Sequence, residues 1–325
     1  MSAPAVALLA ASRGALLKLD KPQGPTSHDV VHAVRRHLGV RRVGHAGTLD
    51  PQATGLLVVG VGPATRLLGF IALQDKFYRG TLRLGVATDT LDAAGRVTAE
   101  KPWPRDERRV REAARTLVGE RMQRPPMVSA VKVHGDRLYK IAARGEEVER
   151  PERRVRVKRL ELLGFDLEAG RLSFEVECSS GTYVRVLAEE WGAALDTVAH
   201  LDSLRRVRVG AIDVEGAFPA ARLAPRGTHP AGNVAKGKDA APADWRGLEN
   251  ARLPWEVALS HLSRRVLDAR EARDLGFGRA PRSRGERGLL RLEDENGVVL
   301  GVAEGTPLGL PIRLRCVLAP GDERA

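Results

Sequence analysis

The alternation of apolar and polar positions lays out most of the chain. Residues 16–19 form an apolar run that predicts a short strand, ending in the turn-rich Asp20-Lys21-Pro22-Gln23-Gly24-Pro25. Val30, Val31, Val34 and Leu38 recur at helical spacing, with Ser27 placed to cap the helix and Gly39 to close it. Residues 56–61 are continuously apolar, as in a buried strand, and Pro63 suits the first turn of a helix through Leu68. From 76 to 84 the pattern alternates, with Tyr78, Gly80, Leu82 and Leu84 on one face and Phe77, Arg79, Thr81 and Arg83 on the other, which predicts a strand. Residues 107–118 and 137–144 read as amphipathic helices stopped by Gly119 and Gly145. Residues 171–178 alternate again, Gly181 breaks the pattern, and 182–195 reads as a helix.

After about residue 218 the style changes. Residues 219–251 are rich in Ala, Pro, Gly and charge with little periodicity, and read as a linker or disordered insertion. A short helix at 268–275 follows, then two apolar runs, 289–292 and 298–302, around a turn ending in Asn296-Gly297, a strong hairpin signal. Residues 312–317 alternate with Arg313 and Arg315 on one face. The expected organisation is a large mixed α+β domain over 1–218, the linker over 219–251 and a small β-rich domain over 252–325. No internal repeat and no Walker, dinucleotide-binding or zinc motif is present.

Composition narrows the class. In 325 residues, 29% are charged and 43% hydrophobic, ordinary values for a soluble globular protein. Lys and Arg outnumber Asp and Glu by 53 to 41, a net charge of +12. A basic surface attracts polyanions, nucleic acid above all, although a drift toward arginine or a solubility device would give the same balance. The excess is concentrated: residues 101–160 hold 18 Lys and Arg against 9 Asp and Glu. The densest run is Arg150, Arg153, Arg154, Arg156, Lys158 and Arg159, a candidate phosphate-binding surface. Cys178 and Cys316 show no ligand spacing, so neither a disulfide framework nor a metal site is expected. The mildly apolar N-terminal stretch lacks a basic flank, and no run approaches a membrane span. A cytoplasmic enzyme or nucleic-acid-binding protein, with no membrane partner, is the resulting class.

One stretch carries candidate chemistry: Gly44-His45-Ala46-Gly47-Thr48-Leu49-Asp50-Pro51-Gln52-Ala53-Thr54-Gly55. It sets one carboxylate among three glycines, which allow close approach of another chain, and a proline, which pushes Asp50 toward extended backbone. A stiff loop presenting one acid to a groove is expected. Asp-Pro alone is an ordinary turn former. His45 reads equally as a structural histidine, Tyr78 as core packing, and Arg185 as a surface arginine.

The ordered motifs resemble the TruB-type tRNA pseudouridine synthases. The matching segments are Lys18-Leu19-Asp20-Lys21-Pro22-Gln23-Gly24, the Asp50 loop, Lys76-Phe77-Tyr78-Arg79-Gly80 and Thr88-Asp89-Thr90-Leu91-Asp92. They continue through Pro125-Pro126-Met127-Val128-Ser129-Ala130-Val131-Lys132, Cys178-Ser179-Ser180-Gly181-Thr182-Tyr183-Val184-Arg185 and Leu204-Arg205-Arg206. The resemblance implies an α+β catalytic domain of pseudouridine-synthase type, with a mixed, largely antiparallel sheet and a central cleft, plus a small β-rich PUA-like C-terminal domain. It implies isomerisation of the T-loop uridine at tRNA position 55 without a cofactor or metal, by a monomer that grips the T-arm and, through the C-terminal domain, the acceptor stem. Asp50 would be the nucleophile, Tyr78 would stack on the target base and Arg185 would pair with Asp50. His45, Tyr183 and Leu204 would contact substrate, with Lys21 and Asp92 in support, Asp92 bracing an arginine and Lys21 shaping the first loop.

The residue chemistry agrees with that reading. A carboxylate can hold a covalent intermediate and divide one hard step into easier ones. A neighbouring guanidinium favours its charged form. The chain departs from the family pattern at Val128, where many relatives carry tyrosine, at Glu189 and Glu190 in place of two aspartates, and in the 219–251 insertion. Two other functions share some of these features. A non-catalytic RNA chaperone that opens the tRNA elbow would not need Asp50, and a base-excising glycosidase would call for two paired carboxylates where only Asp50 stands out.

Overall fold

The computed structural model describes residues 14–129, 132–133, 136–138, 141, 144–146, 148–223 and 244–318. In chain order the strands are β1 (Ala15–Lys21), β2 (Val43–His45), β3 (Thr54–Val61), β4 (Lys76–Leu84), β5 (Val86–Thr88), β6 (Val97–Glu100) and β7 (Gly119–Gln123). They continue as β8 (Lys132–Val133), β9 (Asp136–Arg137), β10 (Arg153–Asp166), β11 (Arg171–Cys178), β12 (Ala199–Val209), β13 (Ile212–Asp213) and β14 (Phe218–Pro219). The last are β15 (Arg252–Leu253), β16 (Ser263–Val266), β17 (Leu289–Glu293), β18 (Val299–Glu304) and β19 (Arg313–Val317). The helices are α1 (Ser27–Leu38), α2 (Leu68–Ala72), α3 (Glu107–Thr116), α4 (Val184–Ala193), α5 (Trp255–Ala258) and α6 (Ala269–Gly276). Among the described residues no helix is long and apolar enough to cross a membrane.

Two compact units emerge, one from Met1–Leu49, Leu56–Ala72 and Gly210–Ala325, the other from Asp50–Gly55 and Leu73–Val209. In the first, β1 lies between parallel β14 and β3, β15 pairs with it antiparallel, and β2 pairs antiparallel with β3. Helix α1 buries its predicted stripe, Val30, Val31, Val34 and Leu38, against Leu17, Leu19, Leu57 and Val59 of β1 and β3. Its cap is Thr26 rather than Ser27: the Thr26 hydroxyl accepts from the Asp29 N–H at 3.1 Å and Asp29 returns a bond to the Thr26 N–H at 2.8 Å. The expected helix after Pro63 is a 3-10 segment, Gly62–Leu67, leading into the short α2.

The stretch expected as a linker is built into this unit at both ends. Ala220, Leu223, Leu248 and Ala251 belong to the same core cluster as α1, and Trp245 stacks on His37 at 3.6 Å. A few apolar side chains set wide apart in an Ala/Pro-rich run leave no periodicity to read, yet each is buried. Residues 224–243 lie outside the described residues. In the C-terminal part, β16 to β19 form a four-stranded sheet, with α6 seating Leu275 among Leu267, Leu290, Leu292, Leu300 and Ile312. The β17–β18 hairpin forms as predicted, and the module is β-rich and PUA-like.

The second unit is a largely antiparallel sheet in the order β12-β4-β11-β10-β7. The first two residues of β3 add to its edge in parallel, Thr54 against Arg205 and Gly55 against Arg206. Trp191 of α4 meets Phe174 of β11 edge-on at 5.9 Å and donates from Nε1 to the Val110 carbonyl at 3.2 Å. The expected helix over 182–195 runs from Val184 to Ala193, with Tyr183 as its extended N-cap residue. Strands β10 and β12 are not announced by the sequence pattern. In β10 arginines fill the solvent face between Val155 and Val157, so the basic run is one face of a strand. The helix expected over 137–144 falls largely on positions outside the described residues.

Gly55 is the tightest point of this sheet. Its φ is +100°, and a Cβ there would stand 2.2 Å from the Arg206 carbonyl oxygen. Gly55→Ala should therefore lower stability by about 3 kcal/mol or more, measured as a loss of urea midpoint; an unchanged midpoint would contradict this approach of β3 to β12.

Candidate active site

Asp50 sits on a turn built from its own backbone. Its carbonyl accepts the Ala53 N–H at 3.0 Å, and Pro51 occupies the second position, where a fixed φ favours such a turn. The residue before it is held separately. The buried Ser27 hydroxyl accepts the Leu49 N–H at 2.9 Å and donates to the Leu49 carbonyl at 3.1 Å, so one side chain satisfies both backbone groups. That is why Ser27 is not the helix cap: its hydroxyl is used on the loop.

Arg185 is the partner of Asp50. Its Nη2 lies 3.0 Å from Asp50 Oδ2, and its Nη1 lies 3.5 Å from Asp92 Oδ2. The same two nitrogens donate to the Thr90 carbonyl at 3.0 Å and the Val128 carbonyl at 2.9 Å. The arginine side chain is 4% exposed, against 39% for Asp50. A guanidinium taken out of water requires such partners, and its planar fork reaches several at once. Asp92 is itself oriented, accepting from the Thr90 hydroxyl at 2.7 Å and the Ala94 N–H at 3.1 Å. At Val128 the backbone carbonyl does the work; the side chain is partly exposed.

The first turn of α4, which carries Arg185, is clamped from β7. The buried Gln123 amide accepts the Tyr183 N–H at 3.0 Å and reaches the Tyr183 carbonyl at 3.5 Å. Burial, together with the nearby Asp50 charge, raises the Tyr183 phenol above the ordinary range, against the pull of Arg153 and Arg185. The departures Glu189 and Glu190 follow on α4. Burial raises both carboxyls, while Glu190 is paired with Arg121 at 2.9 Å.

Tyr78 is buried on β4, and burial pushes its phenol up. Cys178 and Asp50 add to that rise, and Arg206, which is hydrogen-bonded to the phenol, opposes it. Two residues earlier, Lys76 is buried with its ammonium donating to the Gln74 carbonyl at 2.6 Å. Burial, helped by Arg206, presses its pKa down to about 8. Cys178, in register with Lys76, is free, and burial pushes its thiol up to about 12, where it is chemically quiet.

Asp50, Asp92, Arg185, Tyr78 and Tyr183 therefore act on one another. Leu204 is half-buried on β12 opposite Gly80, and its carbonyl accepts the Thr54 hydroxyl at 3.5 Å. His45 and Lys21 belong to the other unit. His45 is on β2 with its ring edge-on to His28 at 5.4 Å. The Lys21 ammonium is wholly buried and donates to the Pro22 and Pro25 carbonyls, each at 2.8 Å, so it shapes its own loop. In the basic run, Arg154, Lys158 and Arg159 pair with Glu120, Asp75 and Glu161 at the surface. Such exposed pairs are weak and exchange readily with phosphate. Sequence reading took Ser27 for a helix cap, met Arg206 only as part of a motif, and missed Gln123 altogether.

A family model described as TruB family pseudouridylate synthase (N terminal domain) matches residues 35–184. The tRNA pseudouridine synthase B of Thermobifida fusca (strain YX) is 45% identical over 294 residues, covering 88% of this chain and 92% of that protein. Its counterpart in Mycobacterium sp. (strain KMS) is 41% identical over 299 residues, 90% of this chain and 93% of that protein. Among solved structures, a chain of a Cbf5-Nop10-Gar1 complex matches with a TM-score of 0.72 at 23% identity, covering 97% of this chain and 88% of that one. A chain of the archaeal box H/ACA sRNP Nop10-Cbf5 complex matches at 0.68 and 21%, covering 95% and 87%. At these identities the structural likeness is one of fold.

Lys76 supplies a test of the buried face by pH. Its folded pKa of about 8 lies below the ordinary lysine value of 10.5, so the folded chain binds fewer protons than the unfolded chain between those values. The cost of keeping this amine buried is fully present below pH 8 and fades as pH rises toward 10.5. The melting temperature of wild type minus that of Lys76→Met should therefore move in favour of wild type between pH 7 and pH 10. A constant difference would show that Lys76 is not titrating in the fold.

Proposed function

The chain belongs to the TruB family of pseudouridylate synthases, and from that premise we propose that it isomerises the T-loop uridine of tRNA to pseudouridine, with Asp50 as nucleophile. The observation that carries this is a half-exposed carboxylate held at 3.0 Å by an arginine that is otherwise sealed from solvent. The reaction breaks the C1′–N1 bond and forms a C1′–C5 bond to the same base, C5 giving up its hydrogen and N1 gaining a proton, so it consumes and releases no other molecule. Asp50 attacks and holds the intermediate while the base turns over. Arg185 keeps the carboxylate ionised and aimed. Tyr78 offers a ring on which an extruded base stacks and a phenol that stays protonated at neutral pH. Tyr183, Leu204, His45, Lys21 and Asp92 are proposed around them as substrate contacts or supports, with Asp92 and Lys21 acting through Arg185 and the first loop.

We read the substrate as bound by a monomer along its T-arm, with residues 252–318 contacting the acceptor stem. The net charge of +12 supports an electrostatic share in that binding, which makes affinity fall with salt. Asp50→Asn should abolish pseudouridine formation in unmodified tRNA, mapped by mass spectrometry, while tRNA binding stays near wild type. Normal turnover by that variant would end the assignment. Arg185→Lys keeps one charge but presents a single nitrogen to two carboxylates and two carbonyls. It should slow the single-turnover rate by about 100-fold or more; a wild-type rate would remove Arg185 from the mechanism.

A further inference from the structure

Arg206 is 1% exposed, yet the scheme above gives it no task. Its place is unusual. On β12 it stands directly opposite Gly55 of β3 on one side and Tyr78 of β4 on the other, and Tyr78 in turn stands opposite Val176 of β11. Gly55 offers no side chain on one side, and on the other the Tyr78 phenol is a polar neighbour of the guanidinium, to which it is hydrogen-bonded. Lys76, a second buried cation, shares the face of β4 with Tyr78 and lowers the comfort of a charge there. Burying a permanently charged arginine beside a lysine is costly, and a packing role alone would be better filled by an apolar side chain.

The hydrogen bond has a directional consequence. Guanidinium nitrogens only donate, so the phenol oxygen must accept from Arg206 and send its own hydrogen elsewhere. We propose that Arg206 is a positioning residue for Tyr78: it fixes the plane of the ring and turns the phenolic O–H away from β12, leaving it available to the bound uracil. The proposal rests on the pseudouridine synthase reading and deepens it. The charged and titratable groups that face Tyr78 are Arg206 from β12, Cys178 from β11 and Asp50 from its turn, with Lys76 on its own strand. Of the three facing groups, only Arg206 acts to lower the phenol's pKa, through both its charge and its hydrogen bond.

The test uses the full chain with Arg206→Met, Tyr78→Phe and the double variant. Single-turnover pseudouridine formation on unmodified tRNA gives one readout. Alkaline titration of tyrosine absorbance gives the other; with three tyrosines in the chain, subtracting Tyr78→Phe isolates Tyr78. R206M should slow turnover by about 100-fold, but cost less than about 2-fold when added to Y78F, since both act through one hydroxyl. It should also move the Tyr78 titration to still higher pH, because a cation and a donor have been removed. Equal losses in both backgrounds would overturn the proposal. So would a Tyr78 titration falling toward 10, the mark of loosened packing, since hydration brings a phenol back to its ordinary value. If R206M does not fold, R206Q carries the same two comparisons with the charge removed. A wild-type chain that makes no pseudouridine would overturn the functional reading, while the titration would still decide the Arg206–Tyr78 contact.

Discussion

The catalytic unit depends on one buried cation. Arg185 can lie out of water only because four oxygens converge on it, from Asp50, Asp92, Thr90 and Val128. These come from three segments far apart in sequence, so satisfying one guanidinium ties the Asp50 turn, the 90–92 loop and the 125–129 segment to the first turn of α4. The 90–92 loop carries local strain for this purpose. Leu91, between two residues that serve Arg185, has φ +62° without being glycine. The result is asymmetric exposure, with the base of the ion pair sealed and the reactive carboxylate open. A nucleophile fixed before substrate arrives loses little freedom on reaction.

A second set of constraints runs across the sheet. Gly55 lets β3 approach β12, and Arg206 then stands between that contact and Tyr78. The Asp50 turn and the Tyr78 ring are thus related through strand register, which changes only by whole residues, and a slip of one would turn Tyr78 to the opposite face. The rest of the unit serves this register. Phe174 and Trp191 close the core below, and Gln123 fixes where α4 begins.

Elements with a clean period were legible. The stripe of α1, the alternation of β4 and β11, and the Asn296-Gly297 hairpin all lie where the pattern put them. The Asp50 turn, Tyr78 and Arg185 stood out through their motifs. Other features were hidden for identifiable reasons. In β10 a run of arginines masked the alternation of Val155 and Val157. Thr26 and Ser27 are both good caps by type, and only the nearness of Leu49 decides which one is used elsewhere. Ala220, Leu223, Leu248 and Ala251 are too sparse to show a period, although each is buried.

By itself, then, the sequence determined the local structure and the order of the chemical motifs, since both follow from interactions among residues close along the chain. It also determined family membership, because several independent motifs recur in one order over most of the chain. Only the tertiary structure decided which polar residues face inward and what they touch: Arg206 against Tyr78, Ser27 against Leu49, Gln123 against Tyr183, and Lys21 within its own loop. The reason is physical. A buried charge or hydroxyl is stable only where partners from remote segments arrive together, and that meeting is written in packing and register, not in spacing along the chain.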